Sequence, residues 1–254
     1  IAILTIVGYL LGINPAILIG GAEMIGAGRE AVTQRTSAPP RSSPQEEQLR
    51  TFVARVLKTN EDVWQQVLPQ QAGVPFRPAP LVIFRGATRS ACGGAQSAMG
   101  PFYCPADTRI YLDMSFFEEM RTKMRAGGDF AYAYVIAHEM GHHIENLLGI
   151  LPKVQAAQQR LSRREANALS VRVELMADCL AGVWAHHANN RYRVLEQGDI
   201  EEALTAAAAI GDDKLQKQSQ GYVVPDSFTH GSSEQRMRWL QQGLRTGQVQ
   251  ACDT

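Results

Sequence analysis

The stretch that most constrains this chain is His138-Glu139-Met140-Gly141-His142. Residues four apart lie on one face of an α-helix, one turn above the other. Two imidazole nitrogens on that face can meet a single ion, and Zn²⁺ takes nitrogen and oxygen ligands in a tetrahedral shell. Glu139 points about 100° away from His138 around the helix, outside the ligand set but within reach of a water on the ion. The spacing therefore predicts a hydrolytic zinc site, with His138 and His142 as ligands and Glu139 as general base. A polar helix face with satisfied histidines would carry the same letters, so the reading needs its context.

Three features supply that context. Asp129 follows Gly127-Gly128 and reads as an N-cap. Beyond it, Phe130, Tyr134, Val135, Ile136, Ala137, Met140, Ile144, Leu147 and Leu148 wrap much of the helix circumference, as in a central buried helix. Further along, Glu174-Leu-Met-Ala-Asp178 repeats the i,i+4 spacing among apolar neighbours. Isolated carboxylates in such surroundings are expensive without a cation. Glu174 is the expected third zinc ligand, and Asp178 is expected to accept the other ring N–H of His138. An acidic stripe on a solvated helix is the plainer alternative. Lastly, Thr229-His230-Gly231 precedes Ser232, an N-cap with Gln235 three residues on. His230 or Arg236 is placed to stabilise an oxyanion there; a surface cap is the alternative.

The 254 residues have zero formal net charge, which gives no argument for nucleic acid or an anionic surface as partner. His143 lies one step off the ligand face, and His186-His187 sit where a helix is expected to end, so these three read as structural. The four cysteines include no C-x-x-C pair, which argues against a cysteine zinc site. Cys92 and Cys104 enclose a Gly-rich loop that suits a disulfide-closed hairpin. Cys179 and Cys252 are the second expected bridge, tying the C-terminus to the metal helix. An even count fits an exported protein; four free buried thiols are the alternative.

Residues 1–22 are uncharged and almost wholly apolar, long enough for a transmembrane anchor that Asn14-Pro15 interrupts. A signal-peptide core is the rival reading, although no clear small-x-small cleavage site is present. Residues 23–44 read as a linker, and 45–254 as one domain. A helix is expected from Ser43-Pro44 to about Leu68, and strands at 81–84 and 108–113. The second strand shortly precedes the His138 helix, which predicts a free edge for an extended peptide. Polar helix is expected over 152–169, the Glu174 helix to about His186, and a capping box at Asp199-Ile-Glu-Glu202 opening a helix through Ala209. Tyr222-Val-Val-Pro225 reads as extended, and Ser232 to Leu244 as the last helix. The fold class expected is α+β, mainly helical, with a small sheet.

Taken together, these residues resemble the bacterial neutral zinc metallopeptidase family known as Zn_peptidase. The likeness covers nearly the whole chain. It rests on Cys92-Gly-Gly with Gly100-Pro-Phe-Tyr-Cys-Pro105, Ile110-Tyr-Leu-Asp113, His138-Glu-Met-Gly-His-His143, Glu174-Leu-Met-Ala-Asp-Cys-Leu-Ala-Gly-Val-Trp184, and Ser227-Phe-Thr-His-Gly-Ser-Ser233. The resemblance implies a zincin-like domain, one Zn²⁺ per chain, and an extracytoplasmic catalytic domain behind a single N-terminal span. The E-x-x-x-D arrangement is also similar to that of gluzincins, which supports Glu174 as ligand and Asp178 behind it. The Thr229-His230 to Arg236 segment resembles a stretch in CAAX-protease-like membrane peptidases, with Gly231 where proline is usual there.

The sequence reading is a single-pass membrane protein whose periplasmic or extracellular domain hydrolyses peptide or protein substrates. Its rivals are a non-catalytic, zinc-stabilised protein-binding module and a zinc hydrolase of a non-peptide amide.

Overall fold

The computed structural model describes residues 43–96 and 100–254. The expected anchor (1–22) and nearly all of the expected linker (23–44) lie outside the described residues. Among the described residues no helix is long and apolar enough to cross a membrane.

The domain is mainly helical with a small sheet, as the sequence predicts. The helix α1 (Pro44–Ala72) opens on Ser43, whose side chain accepts from the Glu46 N–H at 3.1 Å. It runs through Pro69 to Gly73, past the expected end at Leu68. Pro69 and Gln65 are both exposed, so the carbonyl that the proline ring leaves without a donor faces water. Five short strands follow: β1 (Leu81–Phe84), β2 (Ala87–Ser90), β3 (Gly93–Gln96), β4 (Phe102–Cys104) and β5 (Arg109–Asp113). Strands β2 and β3 form a hairpin of their own. The other three form a sheet in the order β1-β5-β4, with β1 parallel and β4 antiparallel to β5.

This order corrects one expectation. Strand β5 is central, with Ile110 paired to both Leu81 and Tyr103, so it has no free edge for a peptide at that point. The sequence reading missed β4, whose three residues are too few to show an alternation. The Cys92–Cys104 bridge, with Cα atoms 5.8 Å apart, ties the β2–β3 turn to β4.

The remaining helices are α2 (Ser115–Thr122), α3 (Asp129–Leu147), α4 (Ile150–Gln158), α5 (Arg163–Tyr192), α6 (Asp199–Ala209), α7 (Asp212–Gln220) and α8 (Ser233–Thr246). The polar stretch 152–169 breaks in two. Ser162 and Glu165 form a capping box that starts α5 afresh. That helix runs on to Tyr192, so His186 and His187 are not at its end. Their ring N–H groups donate instead to the Leu244 and Gly247 carbonyls at the close of α8.

Helix α3 is buried on nearly every side and crosses α5, which in turn crosses α8. Both crossings are close enough to need glycine. A Cβ on Gly141 would lie 2.9 Å from the Ala177 oxygen, and one on Gly243 would lie 1.9 Å from the Cys179 oxygen. At the second crossing Cys179 and Cys252 are bridged, their Cα atoms 5.5 Å apart.

Two expected caps are not where the sequence put them. Asp129 is the first helical residue of α3, not its cap, and Gly128 holds the cap position. The Phe130 N–H donates to Glu202 of α6 at 3.3 Å. Asp199 is likewise the first residue of α6 after Gly198, and its carboxylate accepts from the Glu196 N–H at 2.8 Å. Glu202, expected to close a box with Asp199, is drawn to α3 because four free N–H groups and a dipole end favour a carboxylate there.

Candidate active site and metal centre

Helix α3 presents His138, Glu139 and His142, and α5 presents Glu174 and Asp178 across the Gly141–Ala177 crossing. The two ring Nε2 atoms converge on one carboxylate. His138 Nε2 lies 3.2 Å from Glu174 Oε2, and His142 Nε2 lies 3.6 Å from Glu174 Oε1. Ligand atoms of these three residues all fall within 4.8 Å of one another, as a single cation requires.

The far sides of both rings are also held. His138 Nδ1–H donates to Asp178 Oδ1 at 2.9 Å, and His142 Nδ1–H donates to Glu145 Oε2 at 2.8 Å. A carboxylate accepts only, so each ring carries a proton on Nδ1 and turns its Nε2 to the shared centre. The donor set, two imidazole nitrogens and a carboxylate oxygen with no fourth His, Cys, Asp or Glu joining them among the described residues, fits Zn²⁺.

Asp178 is fully buried and takes further hydrogen bonds. The Tyr134 hydroxyl donates to Oδ1 at 2.5 Å, while Arg236 donates from Nε to Oδ2 at 2.8 Å and from Nη2 to Oδ1 at 2.9 Å. Burial would raise the Asp178 pKa, but the Arg236 charge and then His138 hold it below the usual carboxylate range. Arg236 is itself 1% exposed, so it serves Asp178 rather than facing a substrate.

For Glu174, burial is outweighed by the charges of His230 and His142 and by the His138 hydrogen bond, which hold it well below its usual value. His138 shows the converse. Burial disfavours its charge, yet Asp178 and then Glu174 push its pKa up to about 10 when no metal is bound. Glu139 is buried and lies outside the three-ligand set. Burial raises its carboxyl pKa, against the opposing pull of His138 and His142.

The sequence model of a family described as "Putative neutral zinc metallopeptidase" (Zn_peptidase) matches residues 1–254. The chain belongs to this family. Among its relatives is the uncharacterized protein YpfJ of Escherichia coli K12, 54% identical over 212 residues, which are 84% of this chain and 73% of YpfJ. Another is the uncharacterized protein Rv2575 of Mycobacterium tuberculosis H37Rv, 41% identical over 218 residues, covering 81% of this chain and 71% of Rv2575. No solved structure matches the chain.

Within this Zn_peptidase chain, the five helix-borne residues picked out by spacing come together. His143 stays out of the cluster: its Nε2–H donates to the Arg77 carbonyl at 2.6 Å, and Nδ1 meets the Tyr103 hydroxyl at 3.0 Å. His230 is in a loop against α5, with Nδ1 3.3 Å from Asp212 Oδ1. Gly231 has φ 88°, and its N–H donates to Asp212 Oδ2 at 3.0 Å. Proline can supply neither, which accounts for glycine at this position. Sequence reasoning missed Tyr134, Glu145 and Asp212. Tyr134 and Glu145 stand four before His138 and three after His142, so helical spacing alone points to them. Asp212 carries no local signal.

Proposed function

We propose that this chain is a zinc-dependent endopeptidase. The observation that carries the reading is the convergence of His138 Nε2, His142 Nε2 and the Glu174 carboxylate, with each Nδ1 held by its own buried carboxylate. Zn²⁺ in that position would supply Lewis-acid activation of a water and of the scissile carbonyl.

The chain's residues supply the rest. Asp178 and Glu145 hold a proton on Nδ1 of each ring and fix its orientation, so that Nε2 is the atom left to ligate Zn²⁺. Glu139 takes the proton of the attacking water on its carboxylate and delivers it to the leaving amine nitrogen. His230 is the candidate donor to the oxyanion.

The same reading places the domain outside the cytoplasm, supported by the two bridges and the absence of free cysteines among the described residues. The uncharged stretch 1–22 would anchor it to a membrane.

The test compares wild type with Glu139→Gln on a peptide library, with zinc analysis of both. Each is expected to carry one Zn²⁺ per chain, and the variant to cleave about 10²-fold more slowly or worse. Equal cleavage refutes Glu139 as base. Full zinc with no cleavage by either protein across a varied panel favours the binding module.

A further inference from the structure

The element that presents His230 is built around a side chain outside the H-E-x-x-H and E-x-x-x-D motifs. Asp212, at the start of α7, is 2% exposed. Its Oδ2 accepts from three successive backbone N–H groups, those of Thr229 at 2.7 Å, His230 at 2.6 Å and Gly231 at 3.0 Å. Its Oδ1 lies 3.3 Å from His230 Nδ1, and its own N–H donates to the Gly231 carbonyl at 2.9 Å. One carboxylate thus fixes both the backbone of the loop and one edge of the imidazole.

The loop lies on the metal helix. A Cβ on Gly231 would be 3.2 Å from Leu175 and 3.3 Å from Val171, the residues on either side of Glu174 along α5. His230 Nδ1 is also 3.0 Å from the Thr229 hydroxyl, whereas its Nε2 meets no hydrogen-bond partner among the described residues. The His230 side chain as a whole is 29% exposed.

Resting on the zinc-peptidase reading above, we propose that Asp212 is a positioning residue: it locks Thr229–Gly231 and the Nδ1 edge of His230 so that Nε2–H is held beside Glu174, where negative charge develops on the carbonyl oxygen. Preorganised donors aimed at a developing oxyanion act more strongly than mobile ones, because nothing has to reorient during the reaction. Because a carboxylate can only accept, the Asp212 contact also puts a proton on Nδ1. For Nε2 to donate as well, the ring must carry both protons, and the Asp212 carboxylate 3.3 Å from Nδ1 is the anion that balances the charge of that state.

The test is a double-mutant cycle of Asp212→Asn and His230→Ala, with zinc content and melting temperature measured on every protein. His230→Ala should lower kcat about 10²-fold, in the range for loss of one oxyanion donor. Asp212→Asn should lower kcat about 10-fold with KM little changed, and no further in the His230→Ala background. Zinc should stay at one per chain throughout. An Asp212→Asn loss that persists in full without His230, or that tracks loss of zinc, overturns the proposal.

A readout independent of turnover accompanies the cycle. In Asp212→Asn, amide exchange should accelerate at Thr229, His230 and Gly231 alone, and the His230 imidazole ¹⁵N signals should move. Unchanged protection and unchanged ring signals overturn the positioning role even if no substrate is cleaved. If wild type cleaves nothing while these signals change as expected, the peptidase reading fails and the positioning stands. Should Asp212→Asn not fold, Asp212→Glu, which keeps the charge and displaces it, serves for the same measurements.

Discussion

His138 and His142 face the same carboxylate from the same helix, yet they are held by different means. His138 is oriented by Asp178, from another helix, and Asp178 is in turn held by Tyr134 and twice by Arg236 from a third. His142 is oriented by Glu145, one turn on in its own helix. Asp178 has both oxygens engaged, whereas Glu145 Oε1 is buried with no hydrogen-bond partner among the described residues. One ligand is therefore set by tertiary assembly and thoroughly satisfied. The other is set by a single turn of α3 and only half satisfied. Local spacing gives orientation at little cost in entropy; a cross-helix network makes the metal site depend on the whole fold.

Removing Arg236 should strain this contrast most. Arg236→Met leaves Asp178 buried beside no arginine, and breaking a buried pair from one side costs about 3–5 kcal/mol. Urea unfolding of the metal-free protein should show that loss. A cost under about 1 kcal/mol would mean that the network does not hold α5 and α8 together.

Zinc affinity is the next measure, by competition with a chromophoric chelator. Asp178→Asn is expected to weaken binding about 100-fold and Glu145→Gln about 10-fold, the two ends of the usual range for groups that orient ligands. Equal losses would erase the distinction.

Proton release sharpens it further. In the metal-free site Asp178 and Glu174 push His138 up to about 10, so at pH 8 its ring is protonated and zinc must displace that proton. The sign follows: binding weakens as pH falls. Calorimetry in two buffers at pH 8 should find close to one proton released per zinc from this ring, and less in Asp178→Asn. The smallest effect belongs to His143→Ala, expected to leave zinc content unchanged. An empty site in that variant would overturn the ligand set.

The sequence was most informative where helical spacing carries the chemistry. His138, His142, Glu174 and Asp178 could be assigned because residues four apart must share a face, and the apolar residues around them said that the face is buried. The same rule reaches Tyr134 and Glu145, which the reading passed over. Arg236 was legible as a charged group near the site but not in its direction. It is the fourth residue of α8, and only the α5–α8 crossing decides that it turns inward to Asp178.

Contacts between distant loops left no periodic trace. Asp212 reaches Thr229–Gly231 from another element, and β4 is too short to show a pattern. The misplaced caps have a common cause: Asp129 and Asp199 have the right chemistry, but the backbone starts each helix one residue earlier, on glycine.

The loan of Glu202 to the start of α3 bears on how the protein is made. Phe130 and Glu202 are separated by 72 positions in the chain. At about 5–20 residues per second of synthesis, that is roughly 4–14 s during which the histidine-bearing helix exists without the group that closes its first turn. Ribosome-bound chains halted before residue 199 should therefore be cut near 128–130 by a protease that leaves the finished protein intact.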